Sequence, residues 1–230
     1  ILAEYYEAKA TGKKNFAYLP MTIHHYEKCH NLVKVYQYKI AYLKEYYTIV
    51  NENFPVLHWE MEYGDDNQEL SFHADEILRL AEEVIRFEGD SHQLQEMKME
   101  MYYVKGRFDI AIGEYETGLA NIKASESLAE TLNDNKARLN NYKQMIFYGI
   151  QIENLPLVKK YVEEGMKLID ETDTDEKGIF MRLKGWYLLH EGRYEEARAL
   201  LTQAREFFEN RDGGSGQYAM NIAACYNYIG

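Results

Sequence analysis

Apolar residues along this chain recur at intervals of three and four, the spacing that gathers side chains on one face of a helix, and nowhere do they alternate with a period of two for long. The stretch 72–87 is the plainest case, with Ile77, Leu80, Ala81, Val84 and Ile85 on the side expected to be buried. Residues 23–50 read as a helix, a short turn near Asn31 and a second helix. Breaks are expected where turn-forming residues cluster: at Tyr63-Gly64-Asp65-Asp66-Asn67, at 172–178 and at 210–216. Asn154 before Pro156 suits a helix start, because Asn caps orphan N–H groups and Pro is tolerated in a first turn.

Three segments align with one another. Lys105-Gly106-Arg107-Phe108-Asp109-Ile110-Ala111, Glu153-Asn154-Leu155-Pro156-Leu157-Val158 and Glu191-Gly192-Arg193-Tyr194-Glu195-Glu196-Ala197 each open on a turn residue and reach a small or medium apolar residue three positions after a large one. Four and seven residues further on come Tyr115 and Gly118, Val162 and Gly165, and Leu201 and Ala204. Each run is therefore expected to be the second helix of an antiparallel pair, the first helices lying at 94–104, 139–152 and 179–190. Gly118, Gly165, Ala204 and Gly185 are expected to let neighbouring helices approach closely. The stretch 218–230 repeats the first-helix pattern, with Ala223 in the place of Gly185 and Gly230 in that of Gly192, 38 residues on.

The segment Gly-Arg-Tyr-Glu-Glu-Ala-Arg-Ala-Leu-Leu-Thr-Gln-Ala at 192–204, preceded by Gly185, resembles a tetratricopeptide repeat, and 106–118 resembles a second. The likeness extends over 91–230, but the anchors Ala111, Val158 and Ala197 stand 47 and 39 residues apart, where that family has about 34. His24-His25-Tyr26-Glu27, with Asn31 after it, resembles the helical repeats that follow the ATPase module of bacterial signalling ATPases and of related transcription factors. The resemblance implies an all-α fold, a right-handed α-solenoid of stacked antiparallel helix pairs. It would be one continuous array, with a degenerate region at 1–70 and tetratricopeptide-like repeats at 71–230, the last of them truncated.

Composition narrows the function. The 230 residues carry 26 Lys and Arg against 38 Asp and Glu, a formal net charge of −12 that would repel nucleic-acid phosphates. No apolar run approaches the roughly 20 residues of a membrane-spanning helix. Two Cys, 196 residues apart, suggest no disulfide framework and a reducing, cytoplasmic setting. The 21 Tyr suit seams between helices, where a ring packs and its hydroxyl stays wet, with a minority at an interface. The chain opens at Ile1 already reading as helix, and it stops within a repeat, so it is expected to be a piece of a longer protein.

Catalytic and metal chemistry find little support. His25 and Cys29 are four apart on a helix, yet no second pair closes a metal shell with them, and His24 and His30 point elsewhere. Asp173-x-Asp175-x-Lys177-Gly178 opens like a calcium loop, but its twelfth position is Lys184, where a bidentate Glu is required. Gly213, Gly214 and Gly216 lack the strand and Gly-Lys-Ser/Thr of a phosphate loop and read as a flexible linker. Cys225 has no evident partner base. No enzyme, cofactor or metal is expected.

In tetratricopeptide repeats the first helices line a concave groove. Carried onto this sequence, the resemblance implies Glu96, Glu100 and Tyr103, then Lys143, Phe147 and Ile150. Arg182, Trp186, Leu189 and His190 follow, and finally Met220, Ala224, Asn227 and Tyr228. Such a mixed aromatic and charged groove suits a peptide or a partner helix. Glu100, Phe147 and Trp186 stand where the carboxylate clamp of chaperone-binding members has Asn, which disfavours that ligand; Phe147 and Trp186 could equally pack between repeats. The expected function is a non-catalytic, protein- or peptide-binding regulatory module of a bacterial signalling or transcription-regulatory protein. The alternatives are the repeat part of a peptide-pheromone-sensing helix-turn-helix regulator and a stand-alone scaffold. A truncated last repeat would leave an apolar face open to self-association.

Overall fold

A computed structural model describes residues 1–12, 16–51, 73–89, 91–170 and 174–230, and every regular element among them is helical. In chain order these are α1 (Leu2–Gly12), a 3-10 turn (Phe16–Tyr18), α2 (Leu19–Lys28), α3 (Leu32–Asn51), α4 (Ala74–Glu88), α5 (His92–Ala111) and α6 (Tyr115–Thr131). There follow α7 (Asn135–Gln151), α8 (Leu155–Leu168), α9 (Thr174–His190), α10 (Tyr194–Asp212) and α11 (Ala219–Ile229). The break expected at Tyr63–Asn67 lies outside the described residues. The helices fall into two compact units, α1–α6 and α7–α11.

In the first unit α2 packs on α1 and α3, α3 also meets α4 and α5, α4 lies on α5, and α5 pairs with α6. In the second, each helix from α7 to α11 packs on the next, and α9 also touches α11. None of the described helices is long and apolar enough to cross a membrane.

Four helix pairs share one turn. His30, Gly113, Glu153 and Gly192 each sit at positive φ, between 54° and 91°. The N–H of the following residue reaches back five positions: Asn31 to the Tyr26 carbonyl at 3.2 Å, Glu114 to Asp109 at 2.8 Å, Asn154 to Gly149 at 2.8 Å and Arg193 to Leu188 at 3.0 Å. This is the Schellman arrangement, which satisfies the last carbonyls of one helix and reverses the chain into the next. Side-chain caps then start several helices, with Asn31, Ser91, Asp134 and Asn154 each accepting from a backbone N–H three residues on.

The turns fix a common buried register. In α6 the buried positions are Gly118, Ile122, Ser125 and Ala129; in α8 they include Val158, Val162 and Gly165; in α10 they are Ala197, Leu201, Ala204 and Phe208. The left-handed residues 113, 153 and 192 are 40 and 39 apart, so Gly118, Val158 and Ala197 correspond. This corrects the sequence alignment. Residues 105–111 lie inside α5, not at a turn, and Ala111 is exposed. The look-alike Gly106 corresponds to Gly185, since each precedes its turn residue by seven. Both glycines face the partner helix closely: a Cβ at Gly106 would meet Ile122 Cδ1 at 2.7 Å, and one at Gly185 would meet Leu201 Cγ at 2.5 Å.

Two other expected breaks resolve differently. Gly178 lies within α9, where a Cβ would meet Phe207 and Phe208 at 2.7 Å, so it is a packing glycine and not a loop glycine. The glycines at 213–216 form a turn organised by Asp212, whose carboxylate accepts from Gly216 N at 2.9 Å and Tyr218 N at 2.8 Å. In the last helix the buried alanine is Ala224, while Ala223 is exposed. Other sequence expectations hold in outline: α2, its turn and α3 fall where read, and α4 forms within the 72–87 stretch with Ile77, Ala81 and Ile85 buried, but Leu80 and Val84 are only half-buried and Leu78 takes a buried place instead.

Candidate interaction surface

The residues assigned to a groove divide into those the helix seams have already taken and those still facing outward. Tyr103, Lys143 and Arg182 each precede the turn residue of their pair by ten, and they are 4%, 7% and 2% exposed. Lys143 on α7 places its ammonium 2.9 Å from the Glu176 carboxylate on α9. Arg182 on α9 donates from Nε to Asn221 Oδ1 on α11 at 3.2 Å, and Asn221 is itself fully buried. In both cases a first helix reaches the first helix of the next pair. A buried cation needs such a partner, since leaving it bare in a low-dielectric seam costs several kcal/mol, on the order of 3–5.

The same economy operates in the first unit. Glu100 on α5 binds Lys44 on α3 at 2.7 Å, and Lys44 also lies 5.7 Å from the Tyr103 ring centroid. Burial alone would lower the Lys44 pKa, but the adjacent Glu100 carboxylate outweighs it and raises the value on balance. Arg107, in the segment that the sequence alignment opened on a turn, is 3% exposed and donates to the Tyr47 carbonyl at 2.6 Å and to Thr48 Oγ1 at 2.9 Å. It thereby fastens α5 to α3 at Tyr47 and Thr48.

What remains open is Glu96, exposed on α5 of the first unit, and positions on α7, α9 and α11 of the second. Phe147 and Trp186 each precede their turn residue by six, and both are half-buried. His190 is exposed and sits over Trp186, ring centroids 3.9 Å apart at 30°, with its Nδ1 2.9 Å from the Trp186 carbonyl oxygen. Asn227 is exposed on α11. Sequence reasoning did not find Lys44, Arg107, Glu176 or Asn221. For Asn221 a signal existed, because 143, 182 and 221 recur at intervals of 39 with polar residues on otherwise apolar faces.

The tyrosines largely follow expectation. Tyr26, Tyr38, Tyr42, Tyr47, Tyr103, Tyr142, Tyr161, Tyr187 and Tyr218 are buried, whereas Tyr5, Tyr115, Tyr194 and Tyr226 are exposed. Several carry hydrogen-bonded hydroxyls, such as Tyr218 to Asp175 at 2.7 Å.

Burial pushes the Cys225 thiol up to about 11, which keeps it protonated and unreactive at neutral pH. His25 stacks on Tyr6, with centroids 5.1 Å apart, and Cys29 and His30 are exposed. Among the described residues no group of three or more His, Cys, Asp or Glu could hold a metal ion. Comparison of the chain with protein-family models, with curated proteins and with solved structures finds no match.

Proposed function

We propose that this chain is a non-catalytic interaction module of the tetratricopeptide-like kind, an α-solenoid whose helix pairs present first-helix side chains to a protein or peptide partner. It would serve as a regulatory part of a larger bacterial signalling or transcription-regulatory protein, in the cytoplasm. Four identical Schellman turns and the matched buried positions of α6, α8 and α10 support a repeat architecture. The 40- and 39-residue spacing allows helices longer than in the usual repeat of about 34.

The observation that carries the binding reading is the contrast along α9. Its polar and aromatic neighbours Arg182 and Tyr187 are buried, yet half-buried Trp186 and exposed His190 hold a close, tilted ring pair. A rigid aromatic plate with few rotamers to lose is the kind of anchor that interaction hot spots use. The test is selection of peptides from a displayed random library on the intact chain. Selected peptides should lose at least about tenfold in affinity on Trp186→Ala, equivalent to about 1.4 kcal/mol, with the fold intact by circular dichroism. Peptides that bind Trp186→Ala as well as the parent, or a library that yields none, would remove the reading.

A further inference from the structure

The first unit contains a cleft of about 680 Å³ between α4 and α5, lined by none of the residues assigned above to a groove. Its floor is apolar: Ile85, Leu94 and Met101 are 8%, 5% and 1% exposed. Its walls carry Arg79, Arg86 and Lys98 against Glu82 and Glu83. Sequence spacing puts these together, since Leu94, Lys98 and Met101 follow one face of α5, and Arg79, Glu82, Glu83 and Arg86 one face of α4.

The charges are not all spent. Arg79 is paired with Glu83 at 2.7 Å, and Glu82 faces Lys105 at 3.9 Å. Arg86 and Lys98 have no carboxylate within ion-pair distance among the described residues. Each lies instead against an aromatic ring, Arg86 at 5.2 Å from the Phe87 centroid and Lys98 at 5.9 Å from that of Tyr102. The first unit holds 13 basic and 23 acidic side chains, the second 13 and 15. A cleft lining with one more cation than anions thus sits in the more acidic unit.

We propose that this cleft binds a small amphipathic monoanion, an unbranched acyl carboxylate. Its head would be held by Arg86 and Lys98, and its chain would lie along Ile85, Leu94 and Met101. The volume lies within the range of small-molecule sites, and an apolar floor with a few convergent polar groups is their usual composition. With three cations and two carboxylates in its lining, the cleft carries a net charge that a single carboxylate head balances.

The experiment titrates the intact chain with octanoate and with octanol, following the methyl resonances of Leu94 and Met101 and the heat of binding. Octanoate should shift those methyls and bind at least about tenfold more tightly than octanol, the factor expected for a charge-assisted contact. The double variant Arg86→Gln, Lys98→Gln should lose that preference while keeping its helical content. Equal affinity for acid and alcohol, no shift up to about 1 mM, a limit already weaker than about −4 kcal/mol, or an unchanged preference in the double variant would each overturn the proposal. So would a peptide with a free C-terminal carboxylate that displaces octanoate and binds more tightly, since the occupant would then be a chain end.

Discussion

Gly106 and Gly118 meet backbone to backbone across α5 and α6. A Cβ on Gly106 would lie 2.8 Å from the Gly118 carbonyl oxygen, and one on Gly118 would lie 2.9 Å from that of Gly106. Neither oxygen can yield without moving a helix. Gly118→Ala should therefore destabilise the first unit by about 1–3 kcal/mol, although alanine is the better helix former. Urea denaturation followed by circular dichroism measures it, and a loss below about 0.5 kcal/mol would contradict the contact.

The corrected turn register predicts opposite outcomes for two alanines that look equivalent in sequence. Ala197 is fully buried, whereas Ala111 is exposed at the end of α5. Ala197→Asp should remove about 3 kcal/mol or more, because it buries an unpaired carboxylate between α9 and α10. Ala111→Asp should stay within about 1 kcal/mol, the residual effect coming from an acid beside the negative end of a helix. Similar losses from both would restore the sequence alignment.

Glu153 occupies the left-handed position that Gly113 and Gly192 fill in the other pairs, at φ 54°. Its Cβ crowds the following carbonyl there, a cost of about 1–2 kcal/mol that glycine avoids. After the greater chain entropy of glycine is subtracted, Glu153→Gly should raise stability by about 0.5–1 kcal/mol. A lower thermal midpoint would mean that the carboxylate makes a contact worth more than the strain.

Glu7 on α1 gathers three donors from α2 and α3: the Tyr26 and Tyr38 hydroxyls and the Lys34 ammonium at 2.8 Å. Burial would raise its pKa, but the hydrogen bonds from Lys34, Tyr26 and Tyr38 prevail and hold it below the usual 4.5. A depressed carboxylate stabilises the fold above its unfolded value and ceases to do so as pH falls through its folded one. Glu7→Gln should thus cost about 1–2 kcal/mol at neutral pH, with the difference from the parent shrinking below 4.5. On the alkaline side burial, and then the bond to Glu7, raises the pKa of Tyr26 and of Tyr38 above the ordinary 10.0. Stability should accordingly fall as pH climbs beyond 10.0, where the unfolded tyrosines ionise first. Denaturant midpoints across pH check both limbs, and a flat difference between parent and variant in acid would sink the assignment.

Sequence alone determined that the chain is helical, since a three-and-four apolar rhythm over most of its length permits little else. It also placed the α2–α3 turn, the cap at Asn154 and the close approach at Gly165, where a Cβ would collide with Phe180. Tertiary structure decided what each glycine and each cation is for. Lys105-Gly106-Arg107 and Glu191-Gly192-Arg193 read alike along the chain, but one glycine reverses the backbone at φ 79° and the other receives a neighbouring helix. The same ambiguity hid the seam: Lys143 and Arg182 carry the residue types of a binding groove, and only the packing of α9 against α7 and α11 brings Glu176 and Asn221 to them. Periodicity records which face of a helix is apolar, a local property, whereas the partner of a polar residue on that face is fixed by a helix more than 30 residues away.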